Sequence, residues 1–133
     1  MEVPSVEHLV ATCHLGEVRA PARAHVFVAP FPCRIAGAGL VTTNDVPESA
    51  KAYLTVALSR QRYGETRVMV RKTTLPESGE GIQANTYWHF DVCEWDSEAR
   101  ELPTGSVVSL SVEGTGPVTG LRGVLVVVRY EPT

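Results

Sequence analysis

Lys51-Ala52-Tyr53-Leu54-Thr55-Val56-Ala57-Leu58-Ser59-Arg60 is the stretch that decides the fold class of this chain. Ala52, Leu54, Val56 and Leu58 alternate strictly with Lys51, Tyr53, Thr55, Ala57 and Ser59. Successive strand side chains point to opposite faces, so this period describes a strand with one buried and one more solvated face. Residues 66–71 continue the pattern, with Val68 and Val70 read as inward and Arg67, Met69 and Arg71 as outward. Tyr63-Gly64-Glu65 sits between the two runs, which together read as a hairpin.

The same reading extends in both directions. Upstream, residues 7–15 form a weakly patterned strand or arm. Residues 23–29 place Ala24, Val26 and Val28 on one face and His25 and Phe27 on the other, ending at Pro30 and Pro32. Proline lacks the N–H a ladder interior needs, so this run belongs at an edge or corner. Residues 33–41 follow, with Gly37 and Gly39 marking a bulge or a close backbone approach. Thr42 to Ala50 is a turn-rich connector.

Downstream, Lys72 to Asn85 is the longest loop, and loops of this length in compact domains are often functional. Residues 86–93 place Trp88, Phe90 and Val92 on one face. Glu94 to Thr104 is acidic and irregular, with a helical turn suggested at 97–101. Residues 105–113 turn Ser106, Val108, Leu110 and Val112 inward. In the last strand, 121–130, Val124 to Val128 is apolar on both faces, which predicts a central position in its sheet.

About eight short strands with turn signals between them predict an all-β protein, a single antiparallel β-sandwich or jelly roll. Composition agrees. Twenty of the 133 residues are Val, against two Ile and two Met, and there are eleven Gly and nine Pro. β-Branched residues and chain breakers favour strands and turns over helical bundles. The length suits one domain, read as an N-terminal arm or first strand over 1–22 and a sandwich over 23–133. The net charge of −3 lacks the clustered positive charge that nucleic acids select. No apolar run is long enough to span a membrane as a helix, and the first residues do not read as a signal peptide.

The residues that could carry chemistry are few. A cupin needs a His-x-His pair, which the chain lacks. His89-Phe90-Asp91 matches half of a non-haem iron triad, but no histidine follows it, and both polar residues read as outward-facing on a strand. Cys13, Cys33 and Cys93 form no metal-ligand spacing. Cys13 and His14 are neighbours, which places them on opposite faces of a strand. Asp96, Glu98 and Glu101 match no calcium loop. The chain therefore reads as non-enzymatic, with no cofactor and no metal. Trp95, Tyr53 and Tyr63 fall on outer faces or turns, where rings serve either as sugar platforms or as protein anchors.

One longer pattern bears on function. Ala99 to Val112 contains Leu102-Pro103-Thr104-Gly105-Ser106-Val107-Val108, then the Gly114-Thr115-Gly116 loop, then Leu121-Arg122-Gly123-Val124-Leu125-Val126-Val127-Val128-Arg129-Tyr130. Upstream stand Pro30-Phe31-Pro32-Cys33-Arg34-Ile35-Ala36-Gly37 and the Leu54 to Leu58 strand. Over residues 24–130 this order resembles the small β-sandwich decoration and minor capsid proteins of tailed-phage virions. Ser106 stands where an Asp is common in that family, and Cys33 where a Gly is expected.

The resemblance implies a protein of the outer capsid surface, assembled in the host cytoplasm, that binds the major capsid protein, often as a trimer. On that reading the 72–85 loop and the 94–104 segment are interface candidates, with Trp95, Tyr53, Tyr63, Arg67, Arg71, Asp96 and Glu98 as the candidate residues. The rival expectations are a carbohydrate- or receptor-binding sandwich of a head fibre or tail, with Trp95 or Tyr53 as its platform, and a cupin-like metalloenzyme.

Overall fold

A computed structural model describes residues 9–91 and 95–133. Among these residues there is no helix. Nine strands are present: β1 (Leu9–Val18), β2 (Ala22–Val28), β3 (Cys33–Val41), β4 (Tyr53–Arg62), β5 (Glu65–Thr73), β6 (Trp88–His89), β7 (Glu101–Leu102), β8 (Val107–Thr115) and β9 (Leu121–Pro132). They form two antiparallel sheets in the orders β1-β9-β3-β6 and β2-β8-β4-β5, with the short β7 added to β3. Consecutive strands thus cross between sheets except at the β4–β5 hairpin and between the short β6 and β7, and the two four-strand orders are those of a jelly roll.

The strand that decides the fold is also the best packed. Leu54, Val56 and Leu58 of β4 are wholly buried, and β8 sets Val108, Leu110 and Val112 beside them. From the opposite sheet, Ile35 and Leu40 of β3 and Val124, Val126 and Val128 of β9 close the core. β9 lies between β1 and β3, so its two-faced apolar run is central as its sequence predicts. The hairpin turn carries Tyr63 at φ 51° and Gly64 at φ 79°, the paired positive φ values of a two-residue type I′ turn.

Besides β1, whose pairing is irregular between His14 and Val18, three strands depart from regular pairing, each at a bulge. In β3 the register with β9 shifts between Ile35 and Gly37, where the glycines predict it. In β2 it shifts between His25 and Phe27. The extra residue reverses the phase, so Phe27 is buried while Val28, expected inside, is 56% exposed. Across β4 and β5 the pairing jumps from Leu58↔Val70 to Ser59↔Val68, leaving Met69 as the inserted residue. Met69, expected outside, is therefore buried, and Val68, expected inside, lies on the outer face beside Ala57 and Ser59.

Trp95 corrects another expectation. It is buried in the core, edge-on to Phe90 at 6.4 Å between ring centroids. The N-terminal region is a strand over 9–18, pairing with β9 from Leu9↔Tyr130 to Val18↔Leu121. Removing residues 9–18 would strip β9 of a neighbour. The rest of the expected arm, residues 1–8, lies outside the described residues, as do the expected inward Val92 and the residues Cys93 and Glu94.

The bulge in β2 gives a sharp test. Phe27→Ala should cost about 3–5 kcal/mol of unfolding free energy, the usual range for deleting a buried aromatic ring. Val28→Ala should change it by less than about 0.5 kcal/mol, as exposed positions do. Urea titrations of both variants measure this, and a reversed order would restore the unbulged register.

Candidate interface surfaces

Four of the candidate residues meet at one end of the sandwich. After the Met69 bulge, Arg67 stands directly opposite Arg60, a like-charge pair that is unfavourable unless anions come to it. The acidic segment supplies them. Arg67 Nη2 donates to Asp96 Oδ2 at 3.1 Å, its Nε donates to the same oxygen at 3.2 Å, and its Nη1 lies 2.7 Å from Glu98 Oε2. Arg60 Nη1 donates to the carbonyls of Glu101 at 2.8 Å and Glu98 at 3.2 Å.

Asp96 also organises its own loop. Its Oδ1 accepts from the backbone N–H groups of Glu98 at 3.0 Å and Ala99 at 3.1 Å, capping the turn over 97–100. Its backbone N–H donates to the Met69 carbonyl at 2.8 Å, which stitches the loop onto the bulge in β5. The Ala99 N–H above all holds the Asp96 carboxyl below its ordinary value; desolvation opposes it, and the Arg67 guanidinium and the Glu98 N–H add to the lowering. On the neighbouring side Arg34 Nε donates to Glu101 Oε1 at 2.6 Å.

Arg67, Asp96 and Glu98 therefore form an internal clasp that closes the sandwich end, with Trp95 next to it in the chain and packed inward against Phe90. Arg67 and Asp96 are half-buried through mutual contacts, Glu98 is exposed, and this clasp takes up much of the acidic segment. The other candidates do not join it. Tyr63 is 92% exposed at the hairpin tip, with the Arg62 guanidinium 4.7 Å from its ring centre. Arg71 is on the outer face of the β2-β8-β4-β5 sheet, near Arg23, Val68 and Glu113. Tyr53 begins β4, at the far end of a ten-residue strand from the tip.

A further aromatic surface has no counterpart among the sequence candidates. Tyr87 and His89 stack at 6.3 Å with an interplanar angle of 25° on the outer face of β3. Gly37 and Gly39 make this possible. A Cβ at Gly39 would lie 2.6 Å from a Tyr87 ring carbon, and one at Gly37 would lie 2.5 Å from Arg129 Nη2. The glycines signal close approach in the sequence, but not which groups approach. Burial raises the Tyr87 hydroxyl above its ordinary value, with Arg129 opposing.

Tyr87 also lines an open cleft of about 880 Å³ between the 45–48 connector and the 80–88 loop. The long loop is pinned there. Val46 and Ile82 exchange both backbone hydrogen bonds at 2.8 Å, and Asp45 Oδ1 accepts from Ala84 N at 2.7 Å. Lys72 bridges the Glu80 carboxylate and the His89 carbonyl, and its ammonium sits 4.6 Å from the Trp88 ring centre. Lys72 holds the Glu80 carboxyl below its ordinary value.

Elements of catalysis are sparse in this arrangement. Among the described residues no group of three or more His, Cys, Asp or Glu side chains is placed to hold a metal ion. Cys33 is fully buried, and desolvation followed by the Glu101 charge pushes its thiol up, away from the nucleophilic thiolate. Cys13 and His14 pair with Val126 and Leu125 respectively, on opposite faces of their sheet. His25 Nδ1 lies 2.9 Å from Ser109 Oγ, but Ser109 is buried and its hydroxyl donates to Gln61 Oε1 at 3.0 Å. No protein family model, curated protein or solved structure matches this chain.

The clasp makes stability depend on acid pH with a defined sign. Asp96 titrates lower in the folded chain than its ordinary 3.8, so its contribution is complete above that value and is lost as pH falls through the folded one. Asp96→Asn should flatten the decline in melting temperature below about pH 4, close to the ordinary carboxylate value. Melting curves between neutral pH and pH 2 would expose an unchanged slope, which would remove Asp96 from this role.

Proposed function

We propose that this protein is a structural virion component that decorates and stabilises a phage head by binding the shell of its major capsid protein. The observation that carries this reading is a jelly roll filled between its sheets. Ile35, Leu40, Leu54, Leu58, Leu110 and Val126 meet there with essentially no exposure. A cupin-like enzyme keeps its metal and substrate inside the barrel, whereas apolar side chains occupy that space here. Recognition is thereby left to the rim and the outer faces. The order of strands and turns over residues 24–130 adds support through its resemblance to phage decoration proteins.

The mechanism is cementing. A stiff block that binds the assembled lattice in preference to free subunits stabilises the lattice by mass action. Several copies joined together add avidity, so each contact can be weak. The Arg62–Tyr63 tip, where an arginine lies over a fully offered ring, is the best anchor for such a contact. The location in this reading is the outer head surface, reached after folding in the host cytoplasm.

Purified protein mixed with empty expanded heads of the source phage should co-sediment and saturate at a fixed ratio to the capsid protein. Tyr63→Ala should weaken this binding roughly tenfold or more, as truncation of an interface anchor does. Failure of the wild-type protein to sediment with heads at micromolar concentration would reject the decoration reading.

One observation favours a second reading, a glycan- or receptor-binding sandwich. The Tyr87–His89 stack beside an open polar cleft offers a flat ring platform with nearby carboxylates and amides. Trp95 is too buried to serve in this way. On this reading the isolated protein binds neutral oligosaccharides, and Tyr87→Ala abolishes the binding without lowering the melting temperature by more than a few degrees.

A further inference from the structure

The jelly roll ends in four strand edges, and three of them are protected. β6 is only two residues long. β5 carries Glu65, Arg67, Arg71 and Lys72, is broken by the Met69 bulge, and has the Asp96 amide bonded to that bulge. β2 carries Arg23 and His25, is bulged at Val26, and lies between Pro21 and Pro30. Charges, bulges, prolines and short length are the devices that keep sheet edges from pairing with other chains.

β1 has few of these devices. From Leu9 to Gly16 it contains no Lys, Arg, Asp, Glu or Pro. It pairs regularly with β9 from Leu9 to His14, and its first irregularity follows His14. Among the described residues, nothing else pairs with its other side. Its inner-face residues Leu9, Ala11, Cys13 and Leu15 are only half-buried, although Val124, Val126 and Val128 of β9 beside them are completely covered. Val10 is 60% exposed on the outer face. A cleft of about 220 Å³ opens beside it between the β1 and β2 edges, with Leu15, Val18, Ala24 and Leu110 as apolar lining and Glu17, Arg19 and Arg23 as charged lining.

We propose that β1 pairs antiparallel with β1 of a second copy of this chain about a two-fold axis at Cys13. The stretch from Leu9 to Glu17 is centred on that residue. In this register Ala11 faces Leu15 of the second copy, Thr12 faces His14, and Cys13 faces Cys13. A small side chain thus meets a large one on the inner face, which covers the half-exposed apolar row. The pairing runs over Ala11 to Leu15 and stops at Gly16, whose φ of 70° marks the first irregularity of β1, and this stretch contains no Lys, Arg, Asp or Glu to set like charges opposite one another. The same pairing of β5 with itself would bring arginines together. Two five-stranded sheets join into one, and the unpaired amides and carbonyls of both edges are satisfied.

The contact is isologous and closes at two copies. The free protein is then a dimer rather than the trimer implied by the resemblance. This does not depend on the capsid reading, because it concerns the protein in the absence of any shell.

Light scattering on the eluting full-length protein should give about twice the chain mass of 14.4 kDa. Mild oxidation with diamide should yield a covalent dimer that Cys13→Ser abolishes, while Cys13→Ser keeps the non-covalent dimer. Ala11→Lys, an inward charge on the paired edge, should give a monomer. Where that variant fails to fold, hydrogen exchange of the wild type decides, because β1 amides facing the open edge gain protection as concentration rises. A monomer at all concentrations, a trimer, or a dimer that neither cross-links through Cys13 nor protects β1 would overturn the proposal.

Discussion

Strand β9 buries Val124, Val126 and Val128 on its inner face and leaves Leu125 and Val127 half-buried on the other, so it must be packed on one face and flanked on both edges before the fold exists. Its neighbours come from the other end of the chain, with Leu9 paired to Tyr130 on one side and Ile35 on the other. β8 has the same position in the second sheet, between β2 and β4. Both central strands therefore wait on partners far away in sequence. Such topologies pay loop-closure entropy before their contacts form and fold slowly compared with helical domains. Neither sheet can be assembled without both ends of the chain, which is why the sandwich has no separable arm over residues 9–18.

The legibility of the fold follows from this dependence on buried faces. Period-two patterning is clear wherever one face is packed, as in β4 and β8, whose inward Leu54, Val56, Leu58, Val108, Leu110 and Val112 are legible although both strands begin and end two residues later than the pattern predicts. It fails at a bulge, because one inserted residue reverses the phase of everything beyond it. In β3 the glycines announce the insertion. In β2 and β5 the insertion falls at Val26 and Met69, ordinary strand residues whose side chains carry no such signal. Phe27, Val28, Val68 and Met69 were misassigned for that single reason.

The surface was less legible, since a charged residue does not declare its partner. Arg67 and Asp96 are separated by 29 positions, and Arg34 and Glu101 by 67. Sequence shows an acidic segment and scattered arginines, which look available. The fold brings them together and thereby removes most of them from solvent-facing roles. The clasp has a structural cause, since Arg60 and Arg67 face each other across the hairpin. Without the capped turn at 97–100, two guanidinium groups would share the open end of the core. Tyr87 escaped notice for a related reason. Its position depends on two glycines some fifty residues earlier, and glycine records a vacancy without naming what fills it.

A sandwich of this kind divides its surface by what each part already does. The clasp end is internally neutralised, and the 80–88 loop is tied to the connector by paired backbone hydrogen bonds. The three protected edges are shaped against association. Among the described residues, the features offered to another molecule include the Tyr63 tip, the Tyr87–His89 platform and the uncharged edge of β1. These lie on different parts of one stiff body, so occupation of one leaves the others free. In the proposed dimer a copy held by its edge would still present its tip, and on the proposed capsid reading two tips would engage a repeating surface together. Rigidity matters here because a flexible linkage would dilute the second contact, whereas a continuous sheet holds both tips at a fixed separation.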